Sequence, residues 1–188
     1  FRMDDGSSDY FDEKGLSSQQ FLLRNPASNG RLTSGFGMRR HPILGYLRLH
    51  AGTDWAGPIG TPILASGNGT VEKSGWTSGY GYQTIIRHAN GYQTSYSHQS
   101  RIAKGVVPSA RVRQGQVIGA IGNTGLSTGP HLHYELSVNN VKVDAMRVRL
   151  PSGRTLKGAQ LASFKKERDR IDTLMAAPPE PQKVASAN

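Results

Sequence analysis

Two short runs hold the residues of this chain best suited to chemistry: His50-Ala51-Gly52-Thr53-Asp54 and Ser127-Thr128-Gly129-Pro130-His131-Leu132-His133. Together they offer two imidazoles and a carboxylate to a divalent ion, with one imidazole left over. Three protein ligands and an open fourth position is how catalytic zinc is held, whereas structural zinc is usually closed by four. The chain has no cysteine, which excludes disulfides, thiol catalysis and thiolate-rich zinc sites. The chemistry expected is hydrolysis at zinc, although two imidazoles and a carboxylate also suit Fe(II) or Mn.

The spacing constrains the backbone. A helix would put His50 and Asp54 on one face, but Gly52, Gly57, Pro58 and Gly60 crowd the segment, and both residue types are poor in helices. On a straight strand the two also share a face, roughly 13 Å apart at ~3.3 Å per residue. Zinc bonds to imidazole and carboxylate are only ~2.0–2.2 Å. The strand must therefore bend, and Gly52 is the residue that permits it. His131 and His133 point the same way on a strand, about 6.6 Å apart by the same rise. One can bind the metal while the other leans over its open side. Pro130 cannot donate a ladder hydrogen bond, so it marks a strand's first position or edge and puts the pair at the mouth of a sheet. His41, before Pro42, and His88, beside a turn, have no such company and are expected in surface or local structural roles.

The elements that must position these groups read as β. The 23 glycines are scattered between short β-type runs such as Thr61 to Ala65, Thr70 to Glu72 and Gln116 to Ile121. That pattern predicts a mostly β fold, an antiparallel sandwich or barrel-like domain. One hairpin runs from Tyr82 to His88, turns at Asn90-Gly91 and returns from Tyr92 to His98, because Asn-Gly supplies the positive φ of a tight turn. Two-residue periodicity places Tyr92, Thr94, Tyr96 and His98 on one face of the return strand. A second hairpin pairs His131 to Val138 with Val141 to Val143 across Asn139-Asn140. Residues 1 to 9 are polar, acidic and expected to be disordered, inside a lead-in over 1–30. The catalytic-type domain is expected over 31–150 and an extension over 151–175. Leu161, Phe164, Ile171 and Met175 recur at helical spacing, predicting a short C-terminal amphipathic helix from about 158 to 175. The proline-bearing segment 176–188 reads as a loose tail.

At 188 residues the chain can bury one core and a small appendage. Lys plus Arg number 23 against 13 Asp plus Glu, a formal charge of +10, which favours a polyanionic partner. Neither a recognition helix nor aromatics interleaved with basic residues is visible, so nucleic acid is not the expected partner. No apolar run reaches the ~18 residues of a membrane span, and no signal peptide is seen. The chain does not begin with Met, so a mature or trimmed fragment is expected, with an upstream membrane anchor as one candidate for what preceded it.

Four strings then converge. Ser34-Gly35-Phe36-Gly37-x-Arg39-x-His41-Pro42, His50-x-Gly52-x-Asp54-x-Ala56-x-Pro58-x-Gly60-Thr61-Pro62, Tyr96-x-His98, and Gly122-x-Thr124-Gly125-x-Ser127-Thr128-Gly129-Pro130-His131-Leu132-His133 resemble, in order, the motifs of the lysostaphin-type (LytM-type) zinc metallopeptidases. The resemblance covers about 31–138 and implies a β-rich LytM domain. It implies one Zn2+ per chain held by His50, Asp54 and His133, with His131 and His98 as the two catalytic histidines. It further implies hydrolysis of peptide bonds in peptidoglycan. The looser flanks, Tyr10 through Pro26 and Leu150-Pro151 to Phe164, resemble Gram-negative envelope members that act on D-alanyl–diaminopimelate crosslinks. A periplasmic location and crosslinked stem peptides as partner follow, with an envelope protein as a further candidate regulator. Gln99 stands where members commonly carry leucine, and Tyr82 where asparagine is usual.

Within the same fold, a rival reading is a non-hydrolytic LytM-type regulator that activates an amidase. Its ligand set would be degraded, whereas all five candidate residues stand here. A peptidoglycan-binding domain that keeps zinc but turns over poorly is the other alternative.

Overall fold

Glycine-punctuated β-type runs fold into strands through most of residues 31–143. The structure, a computed structural model, describes residues 1–4, 6, 8–17, 20–27, 29–40, 45–151 and 153–176. In chain order the strands are β1 (Arg31–Ser34), β2 (Gly37–Arg40), β3 (Leu47–His50), β4 (Thr53–Ala56), β5 (Pro62–Leu64) and β6 (Gly69–Thr77). They continue as β7 (Gly81–Arg87), β8 (Tyr92–Ile102), β9 (Arg111–Val112), β10 (Val117–Ile121), β11 (His131–Val138) and β12 (Val141–Val143), before helix α1 (Gly158–Ala176). The fold is mostly β and antiparallel, with a short C-terminal helix, as the residue pattern predicts.

Ten strands form one sheet in the order β1-β4-β11-β8-β7-β6-β9, with β12 beside β11 and β10 joining β5 to β8; β2 and β3 pair separately. Both expected hairpins are present. Asn90 (φ 57°) and Gly91 (φ 72°) turn β7 into β8, and Asn139 (φ 49°) and Asn140 (φ 66°) turn β11 into β12. Two consecutive left-handed residues match the twist of the strands they join.

Pairing fixes which side chains face the metal donors. His133 lies opposite both Asp54 on β4 and Ser97 on β8, while Tyr134 lies opposite Thr53 and Tyr96. One face of the β4-β11-β8 layer thus collects the polar groups. The other carries Tyr96 and Tyr134, both fully buried with ring centroids 5.5 Å apart. The Tyr96 hydroxyl accepts from Ser66 N at 2.8 Å, satisfying the polar tip of a buried aromatic.

The chain divides into two compact units, Leu22–Leu150 and a second one made of Phe1–Phe21 with the segment from Pro151. In the second, Met3, Leu156 and Phe164 are buried, and Phe1, Phe11 and Leu161 pack around them. This differs from the disorder expected over 1–9. Phe1 and Met3 are apolar anchors inside an otherwise acidic run, and they pack with α1. The amphipathic stripe on α1 is shorter than its spacing suggests. Phe164 is buried, but Ile171 and Met175 are exposed, at 43% and 79%. The tail expected from 176 lies, beyond Ala176, outside the described residues, as do His41 and Pro42.

Candidate metal centre

His50 ends β3 and Asp54 sits in β4, so the bend expected between them is a break between strands of two different sheets. Gly52 lies in that break, but its role differs from backbone freedom. It does not adopt a left-handed φ. Instead, a Cβ there would collide with the backbone oxygen of Tyr134 and come within 3.0 Å of His133 Cε1. The glycine is needed so that the turn can press against β11.

His50, Asp54 and His133 then converge. His50 Nε2 lies 3.1 Å from Asp54 Oδ1 and 3.2 Å from His133 Nδ1, and His133 Nδ1 lies 2.8 Å from Asp54 Oδ1. The outer nitrogens are tied down. His50 Nδ1–H donates to the Gly35 carbonyl at 2.6 Å, and His133 Nε2–H donates to Glu135 Oε1 at 3.0 Å. With those protons placed, both inner nitrogens and the carboxylate oxygen present lone pairs to a single point. Three acceptors this close repel one another unless positive charge lies among them. A tetrahedral ion with ~2.0–2.1 Å bonds spaces its ligands at about 3.3 Å, so the donor set fits a metal cation.

Titration follows the same logic. Burial alone would favour neutral forms, but hydrogen bonds from His133 and His50 hold Asp54 well below the usual carboxylate range. Burial opposes charge on His133 too, yet its bonds to Asp54 and Glu135 push it up to about 9. The pocket favours positive charge at this spot. Asp54 also divides its oxygens, with Oδ2 taken by Arg39 at 3.1 Å and Oδ1 left facing the histidines.

The two remaining histidines flank this cluster. The His131 and His98 rings lie 4.8 Å apart by centroid, and His98 lies 6.0 Å from His133. His131 Nδ1–H donates to the Gly129 carbonyl at 2.8 Å, and His98 Nδ1–H donates to the Thr124 carbonyl at 2.7 Å. Each therefore presents Nε2 to the cleft. Burial, only partly offset by the Thr124 carbonyl, lowers His98 to about 4 and keeps it neutral at physiological pH.

His98 arrives by a route that periodicity does not predict. Alternation would place it with Thr94 and Tyr96 on the face away from the cluster. Against β7, however, the step from Tyr82 to Thr84 spans Gln99 to Tyr96 on β8, one residue more than regular pairing needs. His98 takes φ 61° within that irregularity. An extra residue in a left-handed conformation re-aims a side chain, as bulges beside functional sites do. At the same point β8 changes neighbour, from β11 up to Ser97 to β10 from Gln99.

All five residues singled out from the sequence line one open cleft of ≈ 290 Å³, with Arg39, Arg48, Tyr80 and Glu135 beside them. Glu135 was not anticipated. It is buried and accepts from His133 Nε2, from Tyr80 OH at 3.2 Å and from Lys142 Nζ at 2.6 Å. Despite burial, its bonds to His133 and Lys142 lower it to about 2. Its signal was available, since it follows His133 by the two-residue strand period that brings side chains to one face. His88 is buried rather than at the surface, held by the Asn68 carbonyl at 2.9 Å and Thr94 Oγ1 at 2.7 Å in a purely structural role. Of the two unusual positions, Gln99 is buried and donates to Thr84 Oγ1 at 2.9 Å, and Tyr82 meets Trp76 edge-on at 5.3 Å. Neither side chain is among the cleft-lining residues.

Comparison with known proteins agrees with this geometry. The peptidoglycan DD-endopeptidase ShyC of Vibrio cholerae is 43% identical over 164 residues, covering 86% of this chain and 37% of that protein. The chain thus spans little more than a third of this relative's length. A zinc containing peptidase from Vibrio cholerae superposes with a TM-score of 0.65 at 38% identity, covering 80% of this chain and 46% of the other. The catalytic domain of lysostaphin from Staphylococcus simulans gives a TM-score of 0.58 at 30% identity, covering 66% of this chain and 96% of the other. Residues 48–145, which hold all five histidine and aspartate positions, match the profile of peptidase family M23, and the chain belongs to that family.

Proposed function

We propose that this chain is the hydrolytic part of a zinc-dependent peptidoglycan endopeptidase of the Gram-negative envelope, cutting D-alanyl–diaminopimelate crosslinks. The observation that carries the reading is the meeting of three lone-pair donors, with both outer imidazole protons already anchored, beside two further histidines in an open cleft. The DD-endopeptidase name of ShyC and the zinc of the Vibrio cholerae peptidase structure support it. The envelope location rests on the same relatives. No helix among the described residues is long and apolar enough to cross a membrane.

His50 Nε2, Asp54 Oδ1 and His133 Nδ1 would hold the ion, which would supply Lewis-acid polarisation of a scissile carbonyl and a more acidic water. His98, neutral and with its Nε2 lone pair facing the cleft, takes a proton from the attacking water. His131 stands beside it with Nε2 turned to the cleft, where the oxyanion and the leaving amine would lie. The carbonyls of Thr124 and Gly129 orient both rings by taking their Nδ1 protons. Arg39 leaves a single oxygen of Asp54 for the metal. Non-hydrolytic regulation is disfavoured because none of the five positions is replaced.

The test is mass spectrometry of sacculi and crosslinked muropeptide dimers digested by purified protein, with and without chelator. New D-alanine carboxyl termini that vanish on metal removal are expected. His131→Ala should retain the metal and lose cleavage by about 10²–10⁴-fold, as for a lost general acid or base, whereas His133→Ala should lose the metal itself. Cleavage that survives chelation, or equal metal loss in both variants, refutes the assignment.

A further inference from the structure

Charge in the cleft is balanced everywhere except at one residue. Of its acidic side chains, Asp54 is paired with Arg39 and Glu135 with Lys142. Arg48 also lines the cleft, yet its guanidinium makes no ion pair or hydrogen bond among the described residues. It precedes His50 by two positions on β3, so the strand period puts both side chains on one face, about 6.6 Å apart at the backbone. Arg39 lies directly across from it on β2. A guanidinium with five unused donors beside a metal centre is a receptor for a planar anion.

The reaction proposed above, on which this inference rests, supplies such an anion. In a D-alanyl–diaminopimelate bond, the carbon bearing the scissile nitrogen also bears a free carboxylate. That group must lie within a few bonds of the carbonyl at the metal. We propose that Arg48 forms a carboxylate-binding subsite of the cleft, reading the negative charge next to the scissile amide. An uncharged bridge, such as one of glycine residues joined end to end, would place no carboxylate there, so Arg48 is a specificity-determining residue for acidic crosslinks.

The test is calorimetric titration of the zinc-loaded chain with a muropeptide monomer. The side-chain amine of its diaminopimelate is acetylated to mimic the crosslink, and the neighbouring carboxylate is either free or amidated. Wild type should bind the free acid about 10- to 100-fold more tightly, the range of a hydrogen bond to a charged group. Arg48→Ala should bind both ligands alike, at the level of wild type with the amidated one. Arg48→Lys should recover part of the preference, since an ammonium restores charge without the fork. Arg48 is exposed, so neither change should alter the melting temperature. Equal affinities in wild type overturn the subsite. So does a free-acid preference that persists in Arg48→Ala, which assigns the carboxylate to another cation. Cleavage of crosslinked dimers is measured in parallel to separate the two readings. A carboxylate preference without cleavage sinks the endopeptidase reading and leaves the subsite standing, whereas cleavage without preference does the reverse.

Discussion

At the scale of single residues, the centre depends on where protons are parked. His50 and His133 show lone pairs to the metal point because Gly35 and Glu135 hold their other nitrogens. Glu135→Gln keeps shape but lets the amide present either oxygen or nitrogen, and it removes the charge that makes His133 basic. Loss of such an outer partner costs about 10- to 100-fold in metal affinity. Competition with a chromogenic zinc chelator should read that loss, and the metal-free protein should lose stability too, since a buried carboxylate held at about 2 by its partners is removed.

His98 gives a second prediction at this scale. Its folded value of about 4 lies below the ordinary imidazole value of 6.5, so as pH falls the unfolded chain takes up the proton first. Its contribution to stability is complete above pH 6.5 and erodes as pH drops toward 4. By linkage, this one group costs about 2 kcal/mol between pH 7.5 and pH 5. Urea unfolding of the metal-free protein at the two pH values should show His98→Gln losing less than wild type over the interval. An identical loss in the variant would falsify the assignment. The sequence displays His98 as a histidine near two tyrosines, but a single left-handed residue leaves no trace in a two-residue period. Its identity was therefore legible and its direction was not.

At the scale of elements, residue pattern predicts both hairpins because Asn-Gly and Asn-Asn declare themselves through turn chemistry. The β4-β11-β8 layer was not legible, because it joins segments separated by long stretches of chain and records no local signal of its partners. Gly52 illustrates the gap. Its type is visible and its service as clearance for β11 is not. Gly52→Ala should force the turn away from Tyr134 and carry His50 off the donor triangle. Overpacking of this kind costs about 1–3 kcal/mol, and more where backbone cannot yield. Here a backbone oxygen is the obstacle, so the upper end is expected in urea unfolding, with zinc affinity lost in parallel. A stable Gly52→Ala that binds zinc normally would refute the clearance role.

At the scale of the whole molecule, two units have separate cores. The strand-rich one, Leu22–Leu150, carries every residue of the candidate metal centre, and the other is stapled by Met3, Leu156 and Phe164. The lead-in and the C-terminal extension read as unrelated flanks in sequence. Phe1 and Met3 lie far from Phe164 along the chain, and neither stretch is periodic enough to reveal a shared core. Phe164 has edge or tilted ring contacts with Phe1 and Phe11 at 5.5 Å and 5.8 Å. Phe164→Ala should cost about 3–5 kcal/mol by cavity formation. Limited proteolysis should then cut within residues 1–17 while the strand-rich unit resists; unchanged resistance there would contradict the shared core.

The contact between Glu135 and Lys142 has one further consequence. Lys142 sits partly exposed on β12, and its side chain is not part of the cleft lining. Exchanging or acetylating this lysine would alter how strongly Glu135 draws on His133, and so how tightly the ion is retained, while leaving the substrate-facing surface untouched. A single outward position is thus expected to act on a buried metal donor from behind, through one carboxylate.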